Sequence, residues 1–145
     1  MTETQWNLAS IRSHVATHLP LAALLGIEVV AAEPSRARLR LVGNAGIGRP
    51  GGAVAGPVLY AMADFATYAL TLALRQEDTA APSNMLINFF APALEQPLLC
   101  EAVTLRAGRR LITYDVRIWP EAADAGRLVA QATATWAIAR GGVRS

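Results

Sequence analysis

Residues 49–74 read RPGGAVAGPVLYAMADFATYALTLAL, a run of small and apolar side chains with one carboxylate, Asp64, near its middle. A charge placed where its neighbours seek burial is costly unless it is bonded or put to use. Two uses are open. The carboxylate either accepts hydrogen bonds at a subunit interface with no chemical task, or it is a general base or nucleophile tuned by its surroundings. Gly56 lies eight residues earlier. On one helix the two are about 12 Å apart along the axis. A carbonyl held by the Gly56 amide, at the positive end of that helix, is then out of reach of Asp64 in the same chain. The pair can act together only across two copies with antiparallel helices; if they do, the active unit is a two-fold homodimer with a shared site. Thr67 and Tyr68 follow Asp64 by three and four positions on the same helix face. Their hydroxyls either orient the carboxylate or a water, or are satisfied by packing.

The elements around this run follow from periodicity. The segment up to about Leu25 reads as helical, residues 1–20 forming an N-terminal extension, and Gly26 ends it. Strands are expected over Ile27–Ala32 and Arg36–Val42 around a Glu33-Pro34-Ser35 turn, the second alternating Arg36, Arg38 and Arg40 against Ala37, Leu39 and Leu41. The three arginines read as guards of an edge strand. Gly43–Gly52 is a glycine-rich loop, after which Gly56 as N-cap and Pro57 in the first turn open a helix running to about Arg75. Further strands are expected over Asn84–Phe90, Leu98–Arg106, a segment with Ile112, Tyr114, Val116 and Ile118 inward, and Arg127–Ala139. The last three form a meander with turns at Ala107-Gly108-Arg109 and Ala123-Asp124-Ala125-Gly126. The expected fold class is α+β: one long apolar helix wrapped by a curved antiparallel sheet of about six strands, in one domain over residues 1–145.

Composition closes off other functions. The chain has 145 residues, 53% of them hydrophobic and 17% charged, which argues for a filled interior. A net charge of +2, carried entirely by arginine on the basic side, gives no ground for nucleic-acid binding. The single cysteine, Cys100, permits no internal disulfide, and His14 and His18 have no metal-ligand spacing around them, so no metal is expected. Asp64 would cost about 3 kcal/mol at the centre of a membrane span, so residues 53–74 read as a core helix. The polar start MTETQWNLASIRSH lacks the apolar segment of a signal peptide, and the expected location is the cytoplasm.

The segment AGPVLYAMADFA resembles the central-helix signature of hotdog-fold thioesterases of the phenylacetate-degradation (PaaI-like) type. Those read His-Gly-Gly, then about six residues to a helical Asp or Glu. INFFAPA, LRAGRRLITYDVRIW and DAGRLVAQATATW resemble that family's strand end, Arg-x-Gly-Arg hairpin and final strand, so the likeness runs from about Leu21 to Ala139. Two positions depart from the motif: Ala55 stands where the family has His, and Pro57 replaces the second glycine. The resemblance implies hydrolysis of an acyl-CoA thioester. Asp64 would attack the carbonyl or activate a water, and the Gly56 amide would stabilise the oxyanion. Arg106, Arg109 and Arg110 offer planar donors for coenzyme A phosphates, unless they are only a solvated turn, and the Arg36, Arg38 and Arg40 face is a second candidate beside its edge-guarding reading. Ser83 and Asn84 either fall near the implied acyl pocket or are only a cap or strand start; Tyr60, Met62, Phe65, Phe89 and Phe90 are available to line it. The implied assembly is a homodimer, further paired into a homotetramer, with no cofactor beyond the coenzyme A of the substrate.

Two rivals use the same scaffold. An acyl-thioester dehydratase or hydratase needs a His working with the acid, and neither His14 nor His18 is expected in a strand or beside the long helix. A non-catalytic acyl-CoA-binding module fits Ala55, but it gains nothing from a desolvated carboxylate.

Overall fold

The computed structural model describes residues 5–139. Helix α1 (Leu8–His18) starts with a capping box in which Asn7 and Ser10 each accept the other's backbone N–H. Pro20 then divides the expected single helical segment, opening a short α2 (Pro20–Leu25) that Gly26 ends in the left-handed conformation, φ 76°. Residues 1–4 of the expected N-terminal extension lie outside the described residues, as do residues 140–145 of the expected domain.

Six strands follow: β1 (Ile27–Glu33), β2 (Arg36–Leu41), β3 (Ala80–Phe89), β4 (Leu98–Ala107), β5 (Leu111–Pro120) and β6 (Ala130–Ile138). Between β2 and β3 runs α3 (Gly56–Arg75). The strands form one antiparallel sheet in the order β1-β2-β4-β5-β6-β3. The chain thus leaves β2, crosses the sheet as α3 and returns at the far edge as β3. Alternation fixes which face meets the helix: Ala37, Leu39, Leu41, Cys100, Ala102, Ile112, Tyr114, Val116, Ala132 and Ala134 are buried on it. Alanines on β6 and on α3 (Ala63, Ala66, Ala69, Ala73) keep both surfaces low, and α3 packs against all six strands. This is the expected α+β hotdog arrangement. By length and composition α3 could span a membrane, but most of it is buried under its own sheet.

Several boundaries and one assignment differ from expectation. β3 begins at Ala80, four residues before the expected Asn84, and β6 at Ala130 rather than Arg127. The N-cap of α3 is Ala55, and Gly56 is the first helical residue. Lacking Cβ, Gly56 can take helical angles ahead of a proline, where other residues are pushed toward extended ones. β2 is not an edge strand, because β4 pairs with its outer side. Its arginines are bonded instead: Arg36 and Arg38 share Glu101 at 2.8 and 3.2 Å, Arg40 binds Glu121 at 2.7 Å, and Arg38 lies over the Trp119 ring.

Candidate active site

Not every side of α3 is covered. Gly56, Tyr60, Asp64 and Tyr68 recur every four residues and form a strip that the sheet leaves at least partly open. The edge strand β3 borders it, a ten-residue strand paired with β6 on one side and with no strand on the other among the described residues, and Leu86 and Phe89 are exposed on it.

At the N-terminal end of the strip Ala55 caps the helix without a side-chain bond. The Ala55 N–H is spent on the Ile47 carbonyl and the Val58 N–H turns back to Ala55, while Pro57 has no N–H at all. The Gly56 N–H alone remains without an acceptor among the described residues. It borders two clefts. One, of about 400 Å³, is lined by Arg49, Val54, Leu59, Phe89, Phe90 and Pro92 among others. The other, of about 450 Å³, lies between Pro57, Tyr60, Ile87 and Phe89.

Asp64 is half-buried in a separate cleft of about 220 Å³, with Leu19, Phe65, Tyr68, Pro82 and Trp136. No donor reaches its carboxylate among the described residues. Burial alone pushes its pKa above the ordinary carboxylate value. The acid is therefore neither tied into a closed network nor cut off from open space. Gly56 and Asp64 face different clefts of one protomer, as their spacing on one helix requires.

The neighbouring hydroxyls do other work. Thr67 is fully buried; its Oγ1 donates to the Asp64 backbone carbonyl at 2.9 Å and accepts from Trp136 Nε1 at 2.8 Å. Tyr68 lends its ring to the Asp64 cleft, stacked on Trp136, but its hydroxyl donates to Asp78 at 2.8 Å. Burial and Asp78 together raise the Tyr68 pKa. Contrary to the sequence-based expectation, His14 does lie beside α3, with Nε2 2.8 Å from the Tyr68 hydroxyl. With the phenol proton committed to Asp78, that nitrogen carries the hydrogen. His14 is thus engaged with Tyr68 and Asp78, not with Asp64.

Of the other sequence candidates, Ser83 and Asn84 are exposed at a β-bulge, and Pro82 just before them reaches the Asp64 cleft instead. Arg106, Arg109 and Arg110 are exposed around the β4–β5 turn, whose Gly108 carbonyl accepts from Arg75 at the C-terminal end of α3. They stand at the opposite end of the helix from Gly56. Met62 is wholly buried, while Phe65 joins the Asp64 cleft and Tyr60, Phe89 and Phe90 border those at Gly56. Cys100 is buried and its thiol pKa is raised, as befits an inert core residue. Leu19 and Trp136 carry no chemical signature in sequence. The alternation of β6 turns Trp136 inward, but only the fold brings it to Asp64.

A family model described as the thioesterase superfamily matches residues 51–136, more than half of the chain, including Gly56 and Asp64. The chain belongs to the thioesterase superfamily. It is 28% identical over 116 residues to a Saccharolobus solfataricus protein provisionally named an esterase, covering 80% of this chain and 75% of that one. A Haemophilus influenzae thioesterase structure superposes with a TM-score of 0.82 over 94% of this chain and 93% of its own, at 16% identity. The zebrafish thioesterase superfamily member 2 gives 0.79 at 19% identity, over 92% and 99%. At those identities the two share the fold. A Silicibacter structure provisionally named a thioesterase reaches 27% identity with a TM-score of 0.77, covering 92% of each chain.

Proposed function

We propose that this protein is an acyl-CoA thioesterase of the phenylacetate-degradation type, hydrolysing an acyl-CoA to the free acid and coenzyme A. The observation that carries the reading is the state of Asp64: half-buried, raised in pKa, free of donors and open to a cleft. A structural carboxylate at that burial would be hydrogen-bonded.

The reacting carbonyl is held by the unpaired N–H of Gly56 of the partner subunit, aided by the positive end of its helix. Asp64 either adds to the carbonyl carbon, giving a mixed anhydride that water then cleaves, or takes a proton from a water that attacks directly. In both routes the C–S bond breaks, the thiolate leaves and regains a proton, and the oxygen of water ends in the acid. Antiparallel α3 helices with Gly56 opposite Asp64 put the midpoint residue, Tyr60, at the two-fold axis. The exposure of Tyr60 and the unpaired edge of β3 favour that homodimer, and two such dimers form the homotetramer. The working unit is a single domain over residues 1–145, acting in the cytoplasm with no cofactor beyond substrate coenzyme A. Arg106, Arg109 and Arg110 are the donors for its phosphates.

Ala55 supports one alternative, an acyl-CoA-binding module without turnover, because it leaves the helix N-cap with no side-chain donor or acceptor. The dehydratase reading gains little, since neither histidine lines the Asp64 cleft: His14 is bonded to Tyr68 and Asp78, and His18 is exposed at the end of α1 against the His14 ring. A thiol-release screen over short, medium, long and aryl acyl-CoAs decides between hydrolysis and binding. Release from at least one substrate, lost in Asp64→Asn, supports the hydrolase. No release from any of them at high enzyme concentration gives the binding module.

A further inference from the structure

The turn Arg49-Pro50-Gly51-Gly52 precedes the helix signature and has no part in the reaction above. It is nevertheless firmly built. Gly51 and Gly52 take φ of 95° and 84°, which glycine alone adopts without strain, so the chain doubles back on itself. The Arg49 N–H bonds the Ala53 carbonyl at 2.9 Å, the Gly52 N–H bonds the Arg49 carbonyl at 3.1 Å, and Gly48 bridges Val54. Val54 in turn bonds the Ala93 carbonyl beyond β3 at 3.0 Å. These bonds fix the Arg49 backbone at the wall of the 400 Å³ cleft that Gly56 also lines. Every other residue of that cleft is apolar or glycine. The Arg49 guanidinium has no carboxylate or carbonyl partner among the described residues, unlike the arginines of β2.

We propose that Arg49 is a specificity residue: it receives an anionic group of the substrate in the cleft beside the Gly56 N–H. This rests on the thioesterase reading and deepens it by naming a charge the substrate carries. A planar guanidinium donates two parallel N–H bonds to a carboxylate or a phosphate, and the exposed Arg49 can make that pairing in contact with water. Two sources supply the anion: a carboxylate at the far end of the acyl group, or a phosphate of coenzyme A.

The test uses four thioesters, built from coenzyme A or phosphate-free N-acetylcysteamine, each carrying a plain acyl group or one ending in a carboxylate. Arg49→Gln is expected to raise KM about tenfold wherever the anion is present, with kcat held, because a bond to a charged partner is lost. If the rise follows the coenzyme A carrier whatever the acyl group, the anion is the phosphate. If it follows the carboxylated acyl group on both carriers, the anion is the carboxylate. Arg49→Lys retains charge without the fork and falls between. Arg127→Gln, which removes a cation paired with Glu95 elsewhere, leaves all four KM values unchanged. Equal values for parent and Arg49→Gln on all four thioesters, or an equal fall in kcat on all four, overturn the assignment. Should Arg49→Gln fold poorly, judged by melting, the same reading is taken from Arg49→Lys. If the parent releases no thiol from any thioester, the hydrolase reading fails separately. The four uncleaved thioesters are then titrated for affinity, and an affinity loss in Arg49→Gln restricted to the anionic ones preserves the subsite, while no loss removes it.

Discussion

Over residues 67–76, α3 and its C-cap leave no polar side chain unpartnered, whereas over residues 56–64 none of the polar groups facing the clefts has a partner among the described residues. In the second half Thr67 is closed by Trp136, Thr71 by Tyr114 at 2.6 Å, Tyr68 by Asp78 and His14, and Gln76 by the Trp6 backbone. In the first half the Gly56 N–H, the Tyr60 hydroxyl and the Asp64 carboxylate are left open. Composition barely differs between the halves. What differs is what reaches each half: Trp136 and Tyr114 of the sheet, His14 of α1, Asp78 and Trp6 come to the second half, whereas the exposed strip of the first half faces the clefts. Satisfied groups hold a fold together. Half-buried groups left open mark the place where a ligand or a second chain completes the bonding.

The sharpest way to break this contrast is Asp64→Asn. If the open half is the working half, thiol release falls at least 100-fold, on the order seen when a reacting group is removed elsewhere. Stability should move the other way. Burial raises the Asp64 pKa in the folded chain above its unfolded value, so the folded state keeps the proton to higher pH. Stability therefore falls as pH rises through that interval, and above it the charge remains a cost that asparagine does not carry. The variant is expected to melt above the parent at neutral pH, the gap closing as pH drops through the raised pKa. A lower melting temperature at neutral pH would mean that Asp64 is a structural acceptor after all. The same shift moves the acid limb of kcat/KM in the parent above the ordinary carboxylate range, because only the ionised form acts.

The satisfied half gives the opposite signature. Thr71→Val leaves the buried Tyr114 hydroxyl without its partner, at a cost of about 2 kcal/mol. Urea unfolding should register that loss, while kcat and KM of the folded protein stay at the parent values. A fall in activity without a fall in stability would show that the division between the halves is wrong.

Sequence carried much of this and missed the rest for definite reasons. The strands were legible because alternation is local: Ile112, Tyr114, Val116 and Ile118 point inward as their spacing demands. Asp64 was legible because a charge in an apolar run is visible with no structure at all. The bonding of the second half was not, since Thr67 and Trp136 are 69 residues apart and His14 and Tyr68 are 54 apart. The same holds for Arg36 and Arg38, whose partner Glu101 is more than 60 residues away, so unpaired guards and bonded residues look alike in sequence. Sheet order was hidden too. That β4 rather than solvent flanks β2, and that β3 takes the far edge, depends on where α3 crosses.

The smallest expected effect tests the boundary between the halves. His14 anchors α1 to the second half through Tyr68 and Asp78, both partly exposed, and Leu19 at the end of α1 is a wall of the Asp64 cleft. His14→Gln can still reach the Tyr68 hydroxyl but loses the edge contact with Trp6 and the pairing with Asp78. A change of about 0.5–1 kcal/mol in stability is expected from losing such exposed contacts. If α1 only braces the fold, KM stays fixed across acyl groups of different size. If Leu19 shapes the acyl end of the cleft, loosening its helix raises KM for compact acyl groups and lowers it for bulky ones, with kcat unchanged. Parallel KM series for a short and an aryl acyl-CoA distinguish the two, because a bracing role moves neither and a wall shifts them in opposite directions.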